Sequence, residues 1–166
     1  CPNAKIITSL PNGLKGLKAH YGELPYEGVK AGDTLDIGHR KLKFVTTPML
    51  HWPDSMVTYC PDEKILFSND AFGEHYATSA RFDDENDLPT ILWEAKKYYA
   101  NILMLYGRQA QTALKALDGL EIDMIATGHG VIWRSHVKEI LEHYQEWSTG
   151  KLEDRAVVVF DSMWHS

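Results

Sequence analysis

Three short stretches constrain this chain most: Pro48-Met49-Leu50-His51-Trp52-Pro53-Asp54, Phe67-Ser68-Asn69-Asp70-Ala71-Phe72-Gly73 and Ala126-Thr127-Gly128-His129-Gly130. Each closes a run of strand-forming residues with one good metal ligand. An open α/β sandwich collects side chains at one rim of its sheets, so a His, an Asp and a second His arriving from three strand ends can share a site there. The pattern predicts an α/β metalloprotein rim that carries part of a ligand set.

The intervening sequence alternates as such a fold requires. Ala4–Thr8 is strand-like, with no earlier element to pair with, and Gly13–Tyr21 is a short helix stopped at Gly22. Thr34–Ile37 and Lys41–Thr47 alternate apolar and polar around Gly38-His39, which predicts a hairpin. Met56–Tyr59 and Lys64–Ser68 flank Pro61-Asp62-Glu63, a second hairpin that delivers Asp70 just past its end. From Leu88 to Tyr106 the apolar residues recur at three and four, predicting one long amphipathic helix, started by Asp87-Leu88-Pro89 and broken at Gly107. A helix over Gln109–Leu117, a strand over Ile122–Thr127 and a helix from His136 to about Trp147, capped by Ser135, complete the pattern.

The 166 residues suffice for one domain with a sizeable core. Lys151–Arg155 is a charged connector, and Arg155–Asp161 is an uninterrupted β-branched run of the kind buried parallel strands require. The chain opens on Cys1-Pro2-Asn3 without Met and closes on Ser162-Met163-Trp164-His165-Ser166. Residues 1–154 are therefore expected to form one domain lacking its N-terminal part, residues 155–166 to begin a second, and the whole to be a fragment of something longer. A net charge of -6 with no Lys/Arg cluster argues against nucleic-acid and anionic-membrane partners. No apolar run is long enough to span a bilayer and no signal peptide opens the chain. Cys1 and Cys60 stand far apart in no metal-binding pair, which fits a reducing cytoplasm.

Most histidines are capping, surface or hydrogen-bonded core residues, and His20, His39, His136 and His143 are assigned so. His51 differs, because it follows an apolar strand and is held before Trp52-Pro53 in a stiff loop, as a pre-oriented ligand imidazole requires. Asp70 lies between apolar segments where an unpaired charge is costly unless a cation neutralises it, and its two oxygens can bridge two metals. His129 stands between two glycines, which let the backbone crowd a site too tight for a Cβ.

Read together, His51–Met56, Leu66–His75, Lys97–Ile102 and Gly128–Arg134 resemble the metallo-β-lactamase-like domain of the flavodiiron proteins, or A-type flavoproteins. Val157–Ser166 resembles the first strand and opening phosphate loop of the flavodoxin-like domain that follows in that family. The resemblance implies a partial αββα sandwich with a non-haem di-iron centre that reduces dioxygen to water, nitric oxide to nitrous oxide, or both, with electrons from FMN. It implies His51 on one iron, His129 on the other and Asp70 bridging, with Trp52, His75 and one of Tyr98 or Tyr99 around them. Successive helix residues point about 100° apart, so only one of that tyrosine pair can face the metals. Ser162, Met163, Trp164, His165 and Ser166 match the opening of the flavin phosphate loop. A rubredoxin-like electron donor and a head-to-tail homodimer follow from the resemblance as well. The family's upstream His-x-Glu-x-Asp motif is not in this sequence, so weak or absent metal binding is expected of the chain by itself.

Two other readings compete. A zinc hydrolase of the same fold, glyoxalase II-like, uses a related His/Asp/His rim to activate water, though it has no use for a flavin. A ligand-poor structural or interaction domain is the third.

Overall fold

The computed structural model describes residues 3–151 together with 154 and 156. The calls on Cys1, on the strand after residue 156 and on Ser162–Ser166 lie outside the described residues.

The first strand does have a partner. Strand β1 (Ile6–Ser9) pairs in parallel with β2 (Tyr26–Val29), and α1 (Asn12–Tyr21) connects them. Tyr26–Val29 carries no hairpin signal because its neighbour lies across a helix, and parallel strands need such a crossover. Gly22 ends α1 at φ 72°, a conformation glycine adopts without strain.

A second sheet carries β3 (Thr34–Asp36), β4 (Lys41–Thr46), β5 (Met56–Cys60), β6 (Ile65–Asn69) and β7 (Met124–Thr127), side by side in that order. Both predicted hairpins form, β3–β4 and β5–β6, and β7 joins β6 in parallel. In β6, Leu66 and Ser68 are buried while Phe67 and Asn69 are exposed, the period-two alternation of a sheet with one face on a core. On that core Leu66 and Ile125 join Ile91, Ala95, Leu103, Ala110, Ile140 and Tyr144 in one apolar cluster.

The helix predicted over 88–106 is not continuous. Helix α2 runs only over Leu88–Tyr98, with Asp87 accepting hydrogen bonds from the Thr90 amide at 3.1 Å and its hydroxyl at 2.6 Å. A π turn (Tyr99–Leu103) and a 3-10 turn (Met104–Tyr106) follow. The wider π turn shifts the helical phase, a change that a count of three- and four-residue spacings does not register. Gly107 opens α3 (Gly107–Leu117) rather than ending a helix, because a Cβ there would stand 2.9 Å from the Ser148 carbonyl oxygen.

The cap of α4 (Val137–Ser148) is also not the predicted one. Ser135 donates its hydroxyl to Asp84 at 3.1 Å, while the amides of Arg134, Ser135 and His136 all donate to the carboxylate of Asp83, from a 3-10 turn over Asp83–Glu85. A cap supplied from about fifty residues upstream leaves no local motif at the helix start.

Candidate metal centre

Residues 47–55, which join β4 to β5, carry His51 and are tied on themselves. Met49 donates to the Trp52 carbonyl at 2.7 Å, Leu50 to Thr47 at 3.1 Å, and the Trp52 amide to the Ser55 hydroxyl at 3.1 Å. Ser9 at the end of β1 and Asn12 on α1 brace the loop from outside through the carbonyls of Asp54 and Pro53, at 2.7 and 3.0 Å. The β1–α1 unit thereby fixes the His51 loop.

Asp70 leaves the end of β6 through a turn in which Asn69 and Phe72 have φ of 56° and 65°. A left-handed phenylalanine is unfavourable and persists only where its surroundings hold it. Here the Phe72 amide donates to the Tyr144 hydroxyl at 2.8 Å and its carbonyl accepts from the Trp133 indole at 2.8 Å. Ser68 donates to the Ala71 carbonyl at 2.6 Å, so the carboxylate leaves a turn anchored on both sides.

His129 follows β7 inside a crowded loop. A Cβ on Gly128 would stand 3.0 Å from the Asn69 oxygen, and one on Gly130, at φ 82°, would stand 2.5 Å from Glu74 Cδ. His129 Nδ1 is 3.2 Å from the Glu74 carbonyl oxygen. A carbonyl only accepts, so this contact puts the ring proton on Nδ1 and leaves Nε2 as a free lone pair.

The three side chains meet at one rim. His51 Nε2 is 3.2 Å from Asp70 Oδ2, and His129 Nε2 is 3.8 Å from Asp70 Oδ1. One carboxylate thus offers a different oxygen to each imidazole, and all three side chains are a quarter to a third exposed. Imidazole nitrogens and a carboxylate oxygen are all good donors to a divalent cation, and the donor set of two imidazoles and a hard carboxylate fits metal ions. Among the described residues no group of three or more His, Cys, Asp and Glu is placed to hold a single metal ion, and each imidazole meets a different Asp70 oxygen.

The surroundings distinguish the paired tyrosines. Tyr98 is buried with its ring 4.9 Å from that of His129 and 4.9 Å from that of His75, both edge-on. Burial, with a smaller contribution from the Asp70 charge, pushes the Tyr98 hydroxyl up to about 12, so it stays a proton donor at neutral pH. Tyr99 faces the core, 5.1 Å from Tyr144 and 5.5 Å from Trp147, and its hydroxyl has no hydrogen-bond partner among the described residues. His75 is exposed, and Trp52, 62% exposed, lies tilted beside His51 at 5.9 Å. The other histidines stay apart: His136 Nδ1 meets Asp83 at 2.9 Å, and His143 stacks on Trp147.

Sequence reasoning passed over Glu74 and Gly73. Glu74 is wholly buried, its Oε1 accepting from the Val131 amide at 2.7 Å and its Oε2 without a partner among the described residues. Burial raises its carboxyl to about 8 against the lowering effect of that hydrogen bond, and the nearby Glu94 adds to the rise. A Cβ on Gly73 would fall 2.8 Å from His129 Cε1. The available signal was an acid one glycine beyond the apolar pair Ala71-Phe72.

Comparison with known proteins identifies the family and the fold. The profile of the ODP family beta lactamase matches residues 3–130. The nitric oxide reductase of Moorella thermoacetica is 45% identical over 170 positions, covering 100% of this chain and 42% of that protein. The flavodiiron protein of Giardia intestinalis superposes with a TM-score of 0.85 at 44% identity, over 89% of this chain and 37% of its own. The rubredoxin oxygen:oxidoreductase of Desulfovibrio gigas gives the same TM-score at 40% identity, over 89% of this chain and 38% of its own. The chain spans about two fifths of the length of such relatives. With a family profile over most of its length and the fold of these structures, the chain belongs to the ODP family of β-lactamase-like domains, among the flavodiiron proteins.

Proposed function

We propose that this chain supplies His51, Asp70 and His129 to a non-haem di-iron centre that reduces nitric oxide, dioxygen or both, in a flavodiiron oxidoreductase. The observation that carries the reading is the Asp70 carboxylate, with one oxygen turned to each of two imidazoles at 3.2 and 3.8 Å. Iron and FMN, when bound, would supply electrons to a diatomic gas. The chain's own residues do the rest. His51 and His129 present nitrogen lone pairs from braced loops, Asp70 holds the two positions at a fixed spacing, and Tyr98 walls the His129 side with a hydroxyl that keeps its proton. The exposed Trp52 and His75 border the rim.

The names of the relatives support the substrates, since one is a nitric oxide reductase and another a rubredoxin oxygen:oxidoreductase. The second name also supports a rubredoxin-like donor, while FMN held in part by Ser162–Ser166, a head-to-tail homodimer and a cytoplasmic location rest on the family resemblance alone. Among the described residues no helix is long and apolar enough to cross a membrane. The test is anaerobic reduction of the iron- and flavin-loaded full-length protein, followed by separate measurement of nitric oxide and dioxygen consumption. Consumption of either gas that disappears in Asp70→Ala is expected. Turnover of neither, or turnover indifferent to Asp70, contradicts the reading.

A further inference from the structure

Glu74 has a hydrogen-bonding pattern that its own stability does not explain. A fully buried carboxyl with one oxygen unpartnered costs more than an apolar side chain of the same size, so its retained contact must serve something else. That contact is the Val131 amide at 2.7 Å, two residues beyond His129. The main chain of the same residue faces His129 Nδ1 at 3.2 Å. Side chain and main chain of one residue therefore hold the His129 loop at two points.

The packing tightens this grip. Gly130 at φ 82° lies so close that an added Cβ would stand 2.5 Å from Glu74 Cδ and 2.7 Å from the Glu74 carbonyl oxygen. Gly73 lets the imidazole lie against the backbone, because a Cβ there would meet Cε1 at 2.8 Å and Nδ1 at 3.0 Å. Tyr98 covers the ring from a further side. Such outer contacts fix the tautomer and the direction of an imidazole before any ion arrives.

We propose that Glu74 is the positioning residue for His129, holding the His129-Gly130-Val131 loop through its side chain so that Nδ1 carries the ring proton and Nε2 points at Asp70. Its purpose rests on the metal reading of His129, but the geometry requires no ion. Glu74→Gln keeps the oxygen that accepts from Val131, and Glu74→Leu keeps the bulk without the acceptor.

The experiment records nitrogen NMR of the His129 ring and hydrogen exchange of the Val131 amide in the metal-free chain with the imidazole neutral. The parent and Glu74→Gln are expected to show the Nδ1–H tautomer and a protected Val131 amide. Glu74→Leu is expected to show mixed tautomers and Val131 exchange faster by about tenfold or more. The Ile140 amide, bonded to the His136 carbonyl at 3.1 Å on α4, should remain protected and so report an intact fold. A Glu74→Leu chain that keeps both the tautomer and the protection overturns the proposal, as does a Glu74→Gln chain that loses them. Should Glu74→Leu not fold, Gly130→Ala decides: it pushes on the Glu74 carboxyl and must give mixed tautomers, and an unchanged tautomer overturns the proposal. Ferrous titration of the full-length protein tests the metal reading separately, since the tautomer result is obtained without any ion.

Discussion

Charge and shape act separately at Asp70. Asp70→Asn keeps the size and one oxygen but removes the charge, so divalent metal affinity of the full-length protein should fall by about 100-fold or more, read by calorimetry, while the thermal midpoint stays close to the parent's. Asp83 works in the opposite sense, holding the fold rather than an ion. Burial alone would raise its carboxyl, but hydrogen bonds from the Arg134 amide, the His136 ring, and the His136 and Ser135 amides outweigh that and hold it below its ordinary 3.8. A carboxyl lowered in the folded state gives its full stabilisation above the unfolded value and loses it as pH falls through the folded one. Asp83→Ala should therefore cost about 2–4 kcal/mol at neutral pH by denaturant unfolding, with the gap to the parent narrowing as pH drops below about 4. A gap that is constant across that window would remove the carboxylate from the explanation.

Among the elements, the junction of α2 with the π turn carries the tyrosine pair, and the ordinary rotation of about 100° per helical residue sends Tyr98 to His129 and Tyr99 to Tyr144. Tyr99 keeps a buried hydroxyl with no partner, so Tyr99→Phe should be neutral or stabilising by up to about 1 kcal/mol, seen as an unchanged or raised Tm. A clear loss of stability would show that the hydroxyl has a partner after all. This region also marks where the sequence stops being readable. The hairpins, the Asp87 start of α2 and the Gly22 end of α1 were legible because their causes are local: turn residues, a capping carboxylate, a glycine at positive φ. The β1–β2 pair and the Asp83 cap of α4 were not, since each depends on residues a helix or more away in sequence, and the π turn was not, since spacings of three and four do not register its change of phase.

For the whole molecule, the fold gathers distant segments at one rim. His51 and Asp70 are presented by neighbouring connections of one sheet, and β7 crosses back in parallel beside β6 to set His129 next to Asp70. The glycine-flanked His129 and the strand-end Asp70 showed this convergence in the sequence, whereas Glu74 and Gly73 did not, because their roles appear only when the 73–74 and 128–131 segments touch. In the proposed centre this chain would supply only three ligands to two ions and hold metal weakly, which makes location a more direct test than affinity. The most direct measurement is an iron-edge anomalous difference map from crystals of the ferrous-loaded protein. Two peaks are predicted, one beside His51 Nε2 and one beside His129 Nε2, both in contact with the Asp70 carboxylate. Iron bound elsewhere, or at a position that leaves Asp70 untouched, would contradict the account.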